Sequence, residues 1–270
     1  MLSPFTAVKN GLRRTPLRKT VMAFRHTGLN TSDVFLASYP RSGNTWLKSL
    51  LASSIFGEAM ENFSDTVNPV IPIVGYHRKS KPLLPDAGRI IKTHESYRPE
   101  YSRAVWIVRD PRDVVLSEYR LQLRSQVFVG AFEDYVQQFT RADSNGPPNW
   151  MQHTESWIDS GMADNTELLS VRFEDMKRDV AGQLERVLKF MGLESSPQIV
   201  ETAISQNSLH SMAVRHAAYD KTLAIQSSLP AVNQGKTGGW REQLTAGQIE
   251  MIEDYFGPTM ARLGYDRSTT

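Results

Sequence analysis

Short apolar runs alternate along the chain with longer segments in which apolar residues recur at helical spacing. The runs are almost continuously apolar, as strands covered on both faces are. The predicted strands cover residues 34–39, 89–93, 104–109 and 168–172. The predicted helices cover residues 45–56, 111–123, 131–141, 150–160, 175–191, 198–206 and 245–256. This alternation predicts an α/β fold, a single three-layer domain with a central parallel sheet and helices on both faces.

The domain is expected to span residues 33–270, after a basic arm formed by residues 1–32. Its long loops, at 58–88, 142–149 and 215–239, have the same strand and helix pattern on both sides, which is typical of loops that cover a site. The arm has six basic residues and no acidic one, whereas the net charge of the chain is +2, so the domain itself is mildly acidic. Two interpretations of the arm stay open: a basic amphipathic helix that touches anionic lipid or a polyanionic substrate, and a leader that packs on the domain.

Composition narrows the possible locations and partners. The chain has no cysteine, which excludes a thiol nucleophile, a disulfide framework and a cysteine-ligated metal, and is typical of a reducing compartment such as the cytoplasm. Neither a secretory signal nor an 18-residue apolar run is present, so no transmembrane segment is expected. The acidic body argues against a nucleic-acid partner. The six histidines are scattered, and no metal site is expected.

Between the first predicted strand and helix the chain reads Ser-Tyr-Pro-Arg-Ser-Gly-Asn-Thr-Trp, from Ser38 to Trp46. Such a turn directs main-chain N–H groups and the positive end of the helix dipole at one place, where Arg41 adds a guanidinium. Gly43 can adopt the dihedral angles of the turn, and Trp46 could pack on a purine. Further side-chain donors are Ser42, Asn44 and Thr45. The segment predicts a P-loop-like site for a phosphate or sulfate group, although the Gly-Lys-Ser/Thr ending of an ordinary P-loop is absent; an ordinary strand-to-helix turn is the alternative.

The second predicted strand runs out into Lys92 and His94. Side chains two residues apart on a strand point the same way, so a cation and an imidazole would reach the carboxyl edge of the sheet together. Open α/β sheets bind ligands at that edge. The pair therefore predicts catalytic groups, with an ordinary structural or surface histidine as the alternative.

The third predicted strand ends at Arg109, and Ser117 lies about two turns into the following helix. Both side chains could reach one anionic group above the sheet edge. The alternative is that Arg109 simply pairs with Asp110 or Asp113.

Taken together, these residues resemble the sulfotransferases of the cytosolic type, which use 3′-phosphoadenosine 5′-phosphosulfate (PAPS). That family carries a Tyr-Pro-Lys-Ser-Gly-Thr-Thr-Trp loop, a Lys-x-His strand end and an Arg-x₇-Ser pair after a central strand, and all three occur here in that order. Two later segments are similar to the family as well, Phe-Glu-Asp-Met from Phe173 and Gly-Lys-Thr-Gly-Gly-Trp from Gly235. The resemblance covers residues 33–264.

The resemblance implies transfer of a sulfuryl group from PAPS to an acceptor hydroxyl, or less readily an amine, without a metal. His94 would be the general base, while Lys92 and Arg41 would stabilise the sulfuryl oxygens and the leaving phosphate. Arg109 and Ser117 would hold the 3′-phosphate. The implied PAPS-binding residues are Arg41, Ser42, Gly43, Asn44, Thr45, Trp46, Arg109, Ser117, Phe173, Gly235 and Lys236.

The sequence departs from the family pattern at several positions, and the resemblance therefore supports the phosphosulfate-binding part of the site better than the adenine-binding part. They are Arg41 for Lys, Asn44 for Thr, Phe173 for Tyr, Leu209 for an aromatic residue and Asn233-Gln234 for an Arg-Lys pair. Lys236 could partly replace the charge of that pair.

Two other functions stay open. A P-loop-like phosphoryl transferase, a kinase using ATP, would bind at the same loop, although no strand-end Asp suited to magnesium stands out. A non-enzymatic nucleotide-binding or membrane-surface module would need neither Lys92 nor His94. For an enzyme, the expected acceptor is a small molecule, a glycan or a lipid held under the long loops. The sequence does not specify an oligomeric interface.

Overall fold

The computed structural model describes residues 17–58, 70–141, 147–208, 210–215 and 235–268. Four strands form one parallel sheet in the order β2-β1-β3-β4. Their bounds are β1 (Val34–Ser38), β2 (Ile90–Thr93), β3 (Arg103–Val108) and β4 (Leu168–Arg172). The predicted strands are therefore confirmed to within one residue at each end.

Helices precede β1, connect β1 to β2 and β3 to β4, and follow β4, whereas the β2–β3 connection has none. Their bounds are α1 (Leu17–His26), α2 (Asn44–Phe56), α3 (Pro111–Arg124), α4 (Phe132–Thr140), α5 (Trp150–Ile158), α6 (Phe173–Arg178), α7 (Val180–Phe190), α8 (Pro197–Gln206), α9 (Trp240–Gln243) and α10 (Ala246–Arg262). Residues 210–215 are also helical, and a 3-10 turn covers His77–Lys79.

The helix predicted over residues 175–191 is wrong as a single element, because it is divided at Asp179. The main chain of Asp179 leaves the helical conformation, with φ at −140°. Its side chain accepts a hydrogen bond from the N–H of Gly182 at 2.9 Å, and so caps the start of α7. The residues before it form the separate helix α6, which begins directly after β4.

The helix predicted over residues 245–256 continues to Arg262, even though Pro258 lies inside it. Ile252, Phe256 and Met260 are fully buried at four-residue intervals. This apolar stripe continues past the predicted end, and its burial favours the longer helix over the break that a proline would otherwise cause.

The sheet is covered on both faces, as the three-layer prediction required. Alternate residues of β1 enter opposite cores, Val34 and Leu36 on one face, Phe35 and Ala37 on the other. The first core includes buried residues of α2, α7 and α8, and the second includes those of α3, α4, α5 and α10. The fold class inferred from the sequence is therefore confirmed.

Strand order brings three loops together at the carboxyl edge of the sheet. Because β1 lies between β2 and β3, the loop after Ser38 is flanked by the ends of both neighbours. In the register, Ala37 stands beside Thr93, and Ser38 stands beside Ile107. The residues that follow the three strands must therefore meet at one place.

Helix α1 packs on the domain through its last residues. Arg25 donates a hydrogen bond to the carbonyl of Val74 at 3.0 Å, and Arg78 donates one to the carbonyl of Phe24 at 2.8 Å. The end of α1 therefore packs on the domain, as one of the two interpretations of the arm expected. Residues 1–16 of the arm lie outside the described ranges. Within the ranges described, no helix is both long and apolar enough to cross a membrane.

Candidate active site

The loop between β1 and α2 has the sharp turn that the sequence indicated. Arg41 has a φ of 66° and Gly43 a φ of 99°, after which α2 begins at Asn44. A Cβ atom on Gly43 would lie 2.4 Å from the Phe173 ring, closer than any real contact, so this position requires glycine. The packing of the ring against the loop holds the N-terminus of α2 at the sheet edge, where its N–H groups favour an anion.

Arg41 and Ser117 meet at this edge. The Nε of Arg41 donates a hydrogen bond to the Ser117 hydroxyl at 3.0 Å, across 76 residues of sequence. Ser117 is buried in the second turn of α3. The loop cation is thus held in place by Ser117, the serine that was predicted to bind the 3′-phosphate together with Arg109.

Arg109, directly after β3, joins two loops. Its Nη1 donates to the carbonyl of Arg41 at 3.1 Å and its Nη2 to the carbonyl of Lys236 at 3.0 Å. Its guanidinium lies over the Phe173 ring, 4.4 Å from the centroid. The bridge ties the P-loop-like turn to the C-terminal loop.

The alternative pairing of Arg109 with a nearby carboxylate is not what the hydrogen bonds show. Asp110 pairs with Arg112, whose Nη2 lies 2.7 Å from its Oδ2. Asp113 accepts from the N–H groups of Gly238 at 2.7 Å and Trp240 at 3.0 Å. Asp113 therefore holds the C-terminal loop, and only its longer-range field reaches Arg109.

Two guanidiniums of like charge lie close together here, that of Arg41 half-buried and that of Arg109 buried. Burial lowers the pKa of Arg41, and the charge of Arg109 lowers it further. Burial also lowers the pKa of Arg109, whose Nε finds no hydrogen-bond partner among the described residues. The buried Ser42 hydroxyl likewise lacks a partner in the described part of the chain. An anion bound between these groups would neutralise the repulsion and satisfy the donors, so the residues fit a phosphosulfate or phosphate group.

His94 directly follows β2 and contacts Ser38, the last residue of β1. Its Nδ1 lies 2.8 Å from the main-chain carbonyl of Ser38. A carbonyl only accepts, so Nδ1 must carry a proton, and in the neutral ring Nε2 then has the lone pair. This is the tautomer that a general base acting through Nε2 requires. Lys92, two residues earlier on the same strand, is buried.

The loop and the histidine are linked through Ser38 and Asn44. The side-chain amide of Asn44 donates to the carbonyl of Leu36 at 2.9 Å and to the hydroxyl of Ser38 at 3.1 Å. The side-chain nitrogen of Asn44 is therefore committed to the sheet, and the main-chain N–H is the donor that can meet an anionic ligand. Thr45, the next residue, lies in the first turn of α2 and is half-buried.

The predicted adenine contacts lie on the far side of the loop. The Nε1 of Trp46 donates to the carbonyl of Asn207 at 3.1 Å, and the ring meets Phe173 edge-on at 6.1 Å. Phe173 is nearly fully buried against Gly43 and Arg109. Leu209, Asn233 and Gln234, the three departures near the base and the 3′-phosphate, lie outside the described residues.

In the C-terminal loop, which is described from Gly235 onward, that glycine has a φ of 57°. The ammonium of Lys236 pairs with the carboxylate of Glu242, while its carbonyl accepts from Arg109. Lys236 could replace a missing 3′-phosphate cation only by exchanging this surface carboxylate for the ligand.

Sequence reasoning missed three residues of the site. Ser38 was named only as the first residue of the strand-to-helix segment, and Asp113 only as an alternative ion-pair partner of Arg109. Glu118 was not considered, although it directly follows Ser117. Burial raises the pKa of Glu118 to about 7, while Arg41 and a hydrogen bond from Tyr39 act in the opposite direction. Its adjacency to Ser117 was the one sequence signal available.

The fold and the site define a class of protein, the P-loop-like α/β proteins that bind an anionic nucleotide at the carboxyl edge of a parallel sheet. The family model of the sulfotransferase domain matches residues 31–264. The chain therefore belongs to the sulfotransferase domain family, as the resemblance implied.

Relatives agree with this assignment. The chain is 28% identical to flavonol 3-sulfotransferase of Flaveria bidentis, covering 86% of this chain and 83% of that protein. It is 23% identical to sulfotransferase 1C2 of Rattus norvegicus, covering 84% and 83%. Among solved structures, retinol dehydratase in complex with androsterone and the inactive cofactor PAP superimposes with a TM-score of 0.70 at 18% identity, covering 94% of this chain and 87% of the other. Mouse sulfotransferase SULT7A1 complexed with PAP gives 0.65 at 19%, covering 90% and 88%.

Proposed function

We propose that this chain transfers a sulfuryl group from PAPS to an acceptor hydroxyl, releasing 3′-phosphoadenosine 5′-phosphate (PAP). The observation that carries the proposal is the close pair of guanidiniums at a helix N-terminus, half-buried Arg41 and buried Arg109, with the His94 ring at the adjacent strand end. Family membership and the PAP complexes of similar structures support the same donor. The reaction needs an anion site and a base, and this arrangement supplies both.

The donor is held by groups that face its two anionic ends. Arg41 and the main-chain N–H groups of Gly43, Asn44 and Thr45 neutralise the phosphosulfate and the charge that builds on the leaving oxygen. The N–H groups of Ser42 and Trp46 donate within the turn itself, to the carbonyls of Tyr39 and Gly43. Arg109 and Ser117 bind the 3′-phosphate, which distinguishes PAPS from ATP. Without a donor bound, the Ser117 hydroxyl accepts a hydrogen bond from Arg41. When the phosphosulfate binds the Arg41 guanidinium, this hydroxyl becomes available to bind the 3′-phosphate.

The adenine is held on the other side of the loop. Trp46 and Phe173 supply apolar surface for the base, and Gly235 and Lys236 close the site from the C-terminal loop. The departure at Phe173 removes a hydroxyl from the family pattern, and Arg109 stacked on the ring takes up part of the space above it.

The chemical step uses positioning and one proton transfer. His94 takes the proton of the acceptor hydroxyl through Nε2 while its Nδ1 remains bonded to the Ser38 carbonyl. Lys92 stabilises the sulfuryl oxygens during the in-line transfer. A positioned base typically contributes about 10²–10⁴-fold to the rate.

The test is a pair of measurements on His94→Ala. Transfer of radiolabelled sulfate from PAPS should fall about 10²–10⁴-fold, while the affinity for PAP, measured by titration calorimetry, should stay near that of the wild type. Retained turnover would refute the base assignment, and absence of PAP binding by the wild type would refute the donor assignment. The control compares the thermal stability of the wild type in the presence of PAP with its stability in the presence of ATP and Mg²⁺. A larger stabilisation by ATP and Mg²⁺ would favour the phosphoryl transferase.

The acceptor is proposed to be a small molecule, with a glycan or a lipid as further members of the same screen. A panel of phenols, flavonols, steroids, glycans and glycolipids tests this choice. It includes flavonols because one relative is named for a flavonol.

A cytoplasmic location, and membrane contact through the basic arm, remain predictions. Exposed Phe24 and Val21 on α1 make co-sedimentation with anionic vesicles the direct test of membrane contact.

A further inference from the structure

The residue after the proposed base is held by the N-terminal arm. Glu95 follows His94, and its two carboxylate oxygens face separate partners. Its Oε1 lies 3.1 Å from the Nη2 of Arg25, and its Oε2 lies 2.9 Å from the Nε2 of His26. The Tyr101 hydroxyl donates to the same Oε2 at 2.9 Å. Two residues of helix α1 therefore grip the carboxylate, from about seventy positions earlier in the chain.

The main chain of Glu95 is fixed as well. Its N–H donates to the Thr93 hydroxyl at 3.1 Å, and its carbonyl accepts from the Nε1 of Trp157 at 3.2 Å. On the other side, the His94 ring is bonded to the Ser38 carbonyl at 2.8 Å. The imidazole thus lies between two anchors, one on its ring and one on the next residue.

The contacts to Glu95 are charge-assisted and partly buried, with Arg25 half-exposed and His26 buried. His26 is 7% exposed, and its Nδ1 lies 2.6 Å from the carbonyl of Met22. Both of its ring nitrogens face oxygen atoms, Nδ1 the Met22 carbonyl and Nε2 the Glu95 carboxylate. Charge-assisted hydrogen bonds of this kind hold geometry more firmly than neutral ones. Burial by itself would raise the pKa of Glu95, yet His26 and Arg25 together keep it below its usual value.

We propose that Arg25, His26 and Glu95 are positioning residues for His94, so that helix α1 belongs to the catalytic apparatus. The inference rests on the proposed function, because these three residues can assist catalysis only if His94 is the general base. The arm, which the sequence separated from the domain at residue 33, contributes to turnover without touching the donor.

The test compares Glu95→Ala with a matched control, Glu100→Ala. Glu100 lies on the same connection and forms an exposed ion pair with Arg98 at 2.9 Å, so it reports the loss of an ordinary surface carboxylate. For Glu95→Ala, kcat should fall about 10- to 100-fold, since a small misplacement of a reacting group has effects of this size. The affinity for PAP should stay within about twofold, because positioning acts on the transfer step. Glu100→Ala should keep wild-type values.

The decisive measurement is the same substitution in the His94→Ala background. A residue that acts through His94 has nothing left to position there, so Glu95→Ala should not lower the residual rate further. An equal loss in both backgrounds, an unchanged kcat in the single variant, or a parallel loss of PAP affinity would each overturn the inference. If His94→Ala itself retains full turnover, the assignment of His94 as the base fails first. If the wild type neither binds PAP nor transfers sulfate, the proposed function fails, so the failures are distinguishable.

Milder variants keep the test valid if Glu95→Ala does not fold. Arg25→Ala should lower kcat by a smaller factor, and Arg25→Lys should restore part of it because the charge remains. Wild-type kcat in a folded Arg25→Ala protein, together with wild-type kcat in Glu95→Gln, would also overturn the inference.

Discussion

Replacing Gly43 by alanine perturbs the anion-binding loop in two separable ways. The φ of 99° is one that residues with a Cβ rarely adopt. The added Cβ would also lie 2.4 Å from Cδ2 and 2.8 Å from Cε2 of Phe173, so the ring or the loop must move. Since the same loop positions Arg41 and the N-terminus of α2, the movement should reach the donor site.

The expected cost follows from these two parts. A left-handed conformation costs a residue with a side chain about 1–2 kcal/mol, and overpacking a filled site costs about 1–3 kcal/mol. Gly43→Ala should therefore lower the free energy of unfolding by about 2–5 kcal/mol. Gly57 is a matched control, because its φ is 73° and a Cβ there would meet nothing within 4 Å. Gly57→Ala should cost only about 1–2 kcal/mol.

The assay is urea unfolding of both variants, each followed by calorimetry with PAP. Gly43→Ala should lose more stability than Gly57→Ala and should also bind PAP more weakly, whereas Gly57→Ala should bind it normally. In a Phe173→Ala background the contact is gone, so the cost of Gly43→Ala should shrink toward that of Gly57→Ala. Equal costs for the two glycines in the wild-type background would refute the steric reasoning.

Three further predictions concern charges and hydrogen bonds at the same edge. Burial raises the pKa of Glu118 to about 7, so its carboxylate forms as the pH rises through that value and then competes with the donor for Arg41. Between about pH 6 and about pH 8, the affinity for PAP should therefore fall more in the wild type than in Glu118→Gln. Parallel plots of affinity against pH for the two proteins would contradict this. Asp113→Ala removes the acceptor of two main-chain N–H groups in the C-terminal loop and should weaken PAP binding about tenfold or more; unchanged affinity in calorimetry would show that the loop needs no such anchor. Arg109→Lys keeps the charge but not the planar fork that bridges two carbonyls, and should also cost about tenfold in PAP affinity, whereas wild-type binding would mean that charge alone suffices.

Much of the fold could be read from local patterns. The strands were nearly continuous apolar runs and were located to within one residue, because burial on both faces leaves little freedom in their composition. The division at Asp179 was missed because apolar residues recur at helical spacing on both sides of it. The Asp179 side chain nevertheless caps a new helix there. The extension of α10 past Pro258 was missed for the opposite reason, because a buried face outweighed a helix-breaking residue.

The sequence by itself determined which residue types reach the carboxyl edge of the sheet. Arg41, Gly43, His94 and Arg109 each sit at a fixed offset from a strand end, and a parallel sheet brings such ends together. Only the tertiary structure decided what each side chain does there. It directs Arg109 to two main-chain carbonyls and commits Asn44 to the sheet. It also sets helix α1 against Glu95. The physical reason is range: a strand-end motif is encoded within a few neighbouring residues, whereas contacts between segments far apart in the chain depend on how whole elements pack.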